Sequence, residues 1–249
     1  MANTLKRIGG GAWLAGPVAI CISSVLLVIH ATARPITMAG VVLFAAGVIA
    51  AYSLDYWTDY PARRTILLPV VIGAAMLAGI GAAFWLPGWK IVLAFLLGVV
   101  SLAYRKWKKW PLAKTLMVAG AWTIASVAFP IEWHAHELLS VPLNIAMFAT
   151  FASNALLCDL KDGAADARAG VYSAVVLWGQ PTTTVIAAVL ALTGVLAALT
   201  AHRLGLAGAG LALCLLAAFP RWVSQPVLGP ALVDAALALP ALFILAGLA

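Results

Sequence analysis

The chain contains very little acid, since Asp and Glu together supply only 8 of its 249 residues and charged residues of both signs make up 9%. About a quarter of an average soluble domain is charged, so this composition excludes an ordinary soluble protein. Cysteine is also scarce, at 3 residues, and its spacing is not typical of a metal site or of a disulfide framework. The sequence also lacks the alternating apolar segments that membrane-spanning β-strands require.

Hydrophobic residues dominate instead, at 65% of the chain with a mean hydropathy of +1.07. A helix needs about 20 apolar residues to cross the hydrocarbon core of a bilayer. The apolar runs predict an all-α, polytopic membrane protein that forms one domain over residues 1–249 and has nine transmembrane helices. We expect the first run to be a retained helix and not a cleaved signal, because it is longer than a usual signal core. The nine runs lie at about 11–31, 36–54, 66–86, 88–104, 115–131, 138–158, 181–200, 204–220 and 229–248.

The basic residues predict the orientation of these helices. With a cytoplasmic N-terminus, 12 of the 15 Lys and Arg residues fall in cytoplasmic loops, and only Arg34, Lys90 and Arg203 lie outside. This bias satisfies the positive-inside rule, and the opposite orientation violates it in every large loop. We therefore expect a multi-pass protein of the bacterial inner membrane, in contact with membrane lipids. The net charge of +7 reflects the loop bias and gives no reason to expect nucleic acid.

The few acids are concentrated in two clusters, each of which follows an apolar run. The first cluster is Asp55 and Asp59, and the second is Asp159, Asp162 and Asp166. Residues three or four apart share one face of a helix, so we expect each cluster to project from a helix that continues past its apolar run. Carboxylates this close repel one another. Mg2+ resolves the conflict, because it binds carboxylates and completes its shell with water and phosphate oxygens.

Basic residues in the same cytoplasmic loops supply positive charge for an anion. Acids for a metal, cations for a diphosphate and an apolar body for a hydrocarbon chain together predict a site for a prenyl diphosphate. The segment RKWKKW is more typical of an anchor at lipid headgroups than of a direct diphosphate site. Asn154, in the sixth run, either contacts the substrate or binds a neighbouring helix. The candidate cations are Arg63, Arg64, Lys108, Lys109, Lys114, Lys161 and Arg168.

Three other polar residues remain open at this stage. Asp234 lies inside the ninth run, where it either pairs with a polar group in the bundle or faces the cavity. His134 and His136 are expected in a solvated outer loop, although their spacing suits a metal if the segment is extended. No obvious general base faces the expected cavity, which suits an acceptor that loses its proton after it has attacked.

The second cluster and its surroundings resemble the UbiA superfamily of intramembrane aromatic prenyltransferases. The match begins at Asn154, includes the three aspartates and Arg168, and continues to the Val-Leu-Trp-Gly segment that ends at Gly179. The stretch 111–130, with Trp122 at its centre, also looks like the family's fifth-helix region.

The first cluster departs from the family pattern. Ala51 and Tyr52 stand where the family usually has Asn and Asp, while Asp55 and Asp59 correspond to the two trailing acids. Cys158 also stands where many members carry Lys. One of the two implied metal sites is therefore expected to be weaker than usual.

The resemblance implies a UbiA-like bundle with both Asp-rich motifs on cytoplasmic loops, in which the five clustered aspartates bind Mg2+ and take part in catalysis. The implied reaction transfers a prenyl group from a polyprenyl diphosphate to a lipophilic acceptor. We expect this acceptor to be aromatic. The alternative is a membrane terpene cyclase of the same superfamily, in which the cation closes on its own chain without an acceptor. A third reading is a lipid-binding or assembly protein whose altered first motif no longer supports catalysis.

Overall fold

The fold is described from a computed structural model of the chain. It describes Val18, Ile22 and Val25 individually and residues 37–59, 67–128, 140–226 and 228–240. Every regular element in these ranges is a helix, so the predicted all-α class is confirmed for the part of the chain that is described. The helices are α1 Met38–Asp59, α2 Leu67–Ala83, α3 Gly88–Trp107, α4 Ala113–Ala128, α5 Val141–Asp159, α6 Gly163–Ala169, α7 Ala174–Thr200, α8 Leu204–Ala217, α9 Pro220–Val223 and α10 Leu228–Ala236.

Each predicted run from the second to the ninth overlaps one of these helices. Within the described ranges, three segments are long and apolar enough to cross a membrane, namely Met38–Asp55, Val141–Asp159 and Ala174–Thr200, and four shorter helices are also apolar. These helices make the chain an integral membrane protein. The count of nine spans and the cytoplasmic N-terminus stay predictions, because most of the first run and the end of the ninth lie outside the described residues.

Helix α5 lies at the centre of the bundle, where it contacts α4, α7, α8 and α10. Its contact with α7 is close because Gly194 has no side chain. A Cβ atom on Gly194 would lie 2.7 Å from Thr150 Oγ1 and 3.4 Å from the Ala146 carbonyl oxygen. Small residues of this kind let membrane helices approach each other and gain van der Waals contact where lipid provides no hydrophobic driving force.

Aromatic side chains connect the central helix to two of its neighbours. The Trp122 ring of α4 stacks on Phe151 of α5 with centroids 6.2 Å apart, and it lies 5.5 Å from the Phe44 ring of α1. Phe44 and Phe151 are both buried in the apolar core. Aromatic pairs at these distances add to the packing of a core beyond their buried area. These ring contacts therefore hold α1, α4 and α5 together in the core. Helices α1 and α5 each end at an acidic cluster.

Helix α7 contains a sharp kink near its beginning. Gly179 has φ 76° and ψ 167°, a conformation that a residue with a Cβ atom rarely adopts. Pro181 follows, and it has no N–H group with which to continue the helical hydrogen bonds. The predicted seventh run, 181–200, corresponds to the part of α7 beyond the kink, while the part before it lies next to the second acidic cluster in sequence.

Candidate active site

The second acidic cluster is divided between two helices. Helix α5 ends at Asp159, a turn follows, and the short helix α6 begins at Gly163. A Cβ atom on Gly163 would lie 2.6 Å from Val175 Cγ1, so the chain turns here in order to pack α6 against the start of α7. The expectation that a single continued helix carries all three aspartates was therefore wrong, whereas α1 does continue through Asp55 and Asp59 as predicted.

The three carboxylates of this cluster nevertheless converge on one ammonium group. Lys114 Nζ lies 2.8 Å from Asp159 Oδ1, 3.1 Å from Asp166 Oδ2 and 4.0 Å from Asp162 Oδ2. The side chains of Lys114 and Asp159 are 18% and 6% exposed, so the interaction is largely removed from water. Lys161 also forms an ion pair with Asp162. A lysine from the basic loop thus lies where the sequence predicts a metal ion.

The cluster still has capacity for a further cation. Asp159 Oδ2 is buried and has no hydrogen-bond partner, which is costly for a carboxylate oxygen. Three carboxylates against the ammonium groups of Lys114 and Lys161 leave one formal negative charge. Carboxylate oxygens are the ligands that Mg2+ prefers, so the donor set fits this ion. No group of three or more His, Cys, Asp or Glu side chains is arranged as a ready-made metal cage in the described part of the chain, since Lys114 lies among the carboxylates.

The basic loop between α3 and α4 connects the two acidic clusters. Lys108 Nζ lies 3.3 Å from Asp55 Oδ1 of the first cluster, and Lys114 binds the second. The loop is also held near α7, because the Leu112 N–H donates to the Tyr172 carbonyl oxygen at 3.2 Å. Lys109, in contrast, is exposed. Lys108 and Lys114 therefore contact the acidic clusters, whereas Lys109 remains at the surface.

Tyr104 is a site residue that the sequence reasoning missed. It lies on α3 one turn before Lys108, whose Nζ is 5.7 Å from the centre of the tyrosine ring. Tyr104 is half-buried and lies within electrostatic range of Lys114 and of acids from both clusters, namely Asp55, Asp159 and Asp166. The spacing of four between Tyr104 and Lys108 at the end of an apolar run is the signal that marks this pair.

The remaining residues singled out from the sequence are Arg168, Asp59 and four that lie outside the described ranges. Arg168 is exposed and donates from Nε to the Ala164 carbonyl oxygen of its own helix at 3.1 Å. Asp59 is the last residue of α1. Arg63 and Arg64, like His134 and His136, lie outside the described residues.

Asn154 connects α5 to α10 through Asp234. Its Nδ2 donates to Asp234 Oδ1 and to the Val233 carbonyl oxygen, each at 3.2 Å. The Cys158 thiol lies 4.0 Å from the same Asp234 oxygen. Of the two alternatives for Asp234, pairing with a polar group inside the bundle is therefore observed. The pair lies close to the second cluster, since Cys158 directly precedes Asp159.

Solved structures show the same fold at low sequence identity. The apo structure of a UbiA homolog from Aeropyrum pernix K1 superimposes with a TM-score of 0.68 at 15% identity, over 93% of this chain and 98% of that one. A UbiA homolog from Archaeoglobus fulgidus bound to DMAPP and Mg2+ gives a TM-score of 0.62 at 13% identity, over 98% of each chain. The same homolog bound to Cd2+ gives 0.61 at 14% identity, over 92% of this chain and 99% of that one. No protein-family model and no curated protein matches the chain.

The chain is therefore a helical membrane protein with the fold of the UbiA homologs. The likeness covers nearly the whole length of both chains, so the resemblance seen at the second acidic cluster is confirmed at the level of the fold.

Proposed function

We propose that the chain is a Mg2+-dependent intramembrane prenyltransferase. It ionises a polyprenyl diphosphate and transfers the prenyl group to a lipophilic acceptor. The observation that carries the proposal is the convergence of Asp159, Asp162 and Asp166 on Lys114, next to a second acid–lysine pair, Lys108 with Asp55. The likeness of fold to a homolog bound to DMAPP and Mg2+ supports the same reading.

The carboxylates of the second cluster are the proposed ligands of the metal. Asp159 contributes a buried oxygen that has no other partner, and Asp162 and Asp166 contribute oxygens on the same side. Bound Mg2+ would offset the negative charge that develops on the departing diphosphate. Asp55 and Asp59 are proposed to hold a second ion in the weaker first cluster.

The lysines are proposed to bind the diphosphate. Lys108, Lys114 and Lys161 each have an ammonium group beside the carboxylates, so they are placed to contact phosphate oxygens that share the metal. Such preorganised cations stabilise a leaving group without reorganisation of solvent at the moment of reaction. Lys109, Arg168, Arg63 and Arg64 remain candidates for the initial attraction of the anion to the cytoplasmic face.

The apolar bundle below the acids is proposed to hold the prenyl chain. Helix α5 contributes to the core a stretch from Ala149 to Leu157 that is buried except at Asn154. A hydrocarbon environment excludes water from the carbocation that forms when the C–O bond breaks. The head of the substrate would then lie at the membrane edge and its tail between helices.

Product analysis tests the proposed reaction. The purified protein in lipid nanodiscs is incubated with Mg2+ and either farnesyl or geranylgeranyl diphosphate, with and without 1-naphthol as an aromatic acceptor. We expect prenylated naphthol and little other organic product. A hydrocarbon or cyclic alcohol formed without acceptor would instead identify a terpene cyclase, and the absence of any conversion would favour the non-enzymatic reading.

A further inference from the structure

Asp234 and Asn154 form a polar pair inside the bundle that the metal and diphosphate roles do not use. Asp234 is 8% exposed, and ionisable groups at such depth are costly in a membrane protein unless they have a function or a partner. Asn154 holds Oδ1 of this carboxylate in a hydrogen bond of 3.2 Å. The pair therefore holds an ionisable group in a fixed orientation inside the bundle.

The surface of α5 beside this pair is not fully buried. From Ala149 to Leu160 every residue of α5 and of the turn that follows it is buried except Asn154 and Cys158, which are half-buried. These two are four residues apart, so they lie on one face of the helix. The same face is directed towards α10, since the Asn154 amide and the Cys158 thiol both lie within 4.0 Å of Asp234 Oδ1.

The pair is also close to the diphosphate site along the helix axis. Asn154 precedes Asp159 by five residues, which corresponds to about 7.5 Å at the rise of an α-helix. Lys161, which binds Asp162, also interacts electrostatically with Asp234. Asp234 is thus about one to two turns from Asp159 along the axis of α5.

We propose that Asp234, positioned by Asn154, binds the hydroxyl group of the acceptor and accepts its proton. The inference rests on the proposed prenyl transfer and names the acceptor class, a lipophilic phenol or alcohol. The C–O bond of the donor breaks and its electron pair leaves with pyrophosphate. The acceptor then bonds to the first carbon of the prenyl group, and the proton that the acceptor loses passes to the Asp234 carboxylate.

The geometry explains why two residues are needed. A carboxylate in an apolar environment is a stronger hydrogen-bond acceptor than one in water, because the surrounding dielectric is low. Asn154 is neutral and donates to this carboxylate, so it fixes the orientation of the group without neutralising its charge. Asn154 is therefore a positioning residue, and Asp234 is the group that would touch the acceptor.

Binding of a matched pair of probes tests the proposal without relying on catalysis. The affinities of 1-naphthol and of 1-methoxynaphthalene, which lacks the hydroxyl donor, are measured on protein in nanodiscs and corrected for partition into empty nanodiscs. We expect the parent protein to bind 1-naphthol about tenfold or more tightly, the usual effect of a hydrogen bond to a charged group. Asp234→Asn, which keeps the oxygen that accepts from Asn154, is expected to remove this preference and to keep the thermal stability of the parent.

Two further variants separate positioning from structure. Asn154→Ala should weaken the preference for 1-naphthol, whereas Ser153→Ala should leave it unchanged. Ser153 lies on the same helix but donates to the Ala187 carbonyl oxygen of α7, away from Asp234. A parent protein that does not distinguish the two probes, or an Asp234→Asn variant that still does, overturns the inference.

An activity measurement distinguishes failure of this inference from failure of the proposed function. With geranylgeranyl diphosphate and 1-naphthol, Asp234→Asn should lose about a hundredfold in prenylated product, the usual contribution of a positioned base. Pyrophosphate release by the parent, recorded in the same assay, reports the proposed ionisation of the donor. Equal product formation by variant and parent contradicts the role of Asp234 alone, while no pyrophosphate release by the parent contradicts the proposed function.

Discussion

At the scale of single residues, the central feature of the molecule is Lys114. Its ammonium group contacts the carboxylates of Asp159 and Asp166 at 2.8 and 3.1 Å and lies 4.0 Å from that of Asp162. Without this charge, three carboxylates would be held together in a largely buried position. The lysine therefore stabilises the arrangement of the acids in the absence of metal, and it is one of the cations proposed to bind the diphosphate.

Replacement of Lys114 by Met should destabilise the protein strongly in the absence of divalent ions. Removal of one partner from a buried ion pair costs about 3–5 kcal/mol, because the remaining charges are left uncompensated. Added Mg2+ should restore more of the lost stability in Lys114→Met than it adds to the parent, because it replaces the missing positive charge. Thermal unfolding in detergent, with and without Mg2+, measures both effects.

Lys106→Met is the matched control for this experiment, since Lys106 is exposed and lies near the end of α3, close in sequence to Lys114. Its unfolding temperature should equal that of the parent with or without Mg2+. A Lys114→Met variant as stable as the parent, and equally indifferent to Mg2+, would show that Lys114 does not organise the carboxylates.

At the scale of helices, the kink in α7 sets where the chain leaves the acidic cluster. Gly179 has a positive φ of 76°, and the segment before it includes Val175, against which α6 packs. A straight helix from Ala174 would direct this segment differently and would displace α6 from its contact. The kink is therefore part of what brings Asp166 to Lys114.

Replacement of Gly179 by Ala should lower the stability of the bundle by about 1–2 kcal/mol, because a Cβ atom disfavours this backbone conformation. Diphosphate binding should weaken as well, since α6 and Asp166 depend on the kink. Unfolding in detergent and binding of inorganic pyrophosphate are the measurements.

Gly98→Ala is a suitable control for the kink variant. Gly98 lies within α3, and a Cβ atom there would meet nothing within 4 Å. Alanine is a better helix former than glycine, so this change should be neutral or slightly stabilising. An equal loss of stability in both variants would mean that the positive φ at Gly179 has no special role.

The helices could be predicted from sequence far better than the contacts between them. Long apolar runs fix helix existence because backbone hydrogen bonds must be satisfied within the segment in lipid. The end of α5 at Asp159 could not be predicted in the same way. It depends on the close approach of Gly163 to Val175, which belongs to another helix.

The site was predictable in its composition but not in its pairing. The clustering of Asp159, Asp162 and Asp166 marks a cation site, because like charges so close need compensation. That Lys114, and not only a metal, supplies this compensation depends on how α4 packs against α5. Tyr104 and the pair of Asn154 with Asp234 were likewise decided by packing between helices, so sequence patterns left them unnoticed or open.

At the scale of the whole molecule, the fold is retained although the sequence has diverged widely. Identities of 13 to 15% with the solved UbiA homologs accompany coverage of more than 90% of the chain. Apolar residues in a membrane bundle can exchange freely as long as helix length and small contact residues persist. The resemblance in sequence is concentrated in the second acidic cluster, whereas Ala51 and Tyr52 beside the first cluster depart from the family pattern.

The central claim is that the acids and lysines at one end of this bundle bind Mg2+ and a prenyl diphosphate so that pyrophosphate can leave. Its most direct test is the rate of pyrophosphate release from geranylgeranyl diphosphate, with 1-naphthol as acceptor, by the purified protein, Asp162→Asn and the control Lys106→Ala, each with Mg2+ and with EDTA. We predict release by the parent and by Lys106→Ala only when Mg2+ is present, with a loss of about a hundredfold or more in Asp162→Asn. Release that persists in EDTA or in Asp162→Asn, or no release by the parent, would contradict the claim.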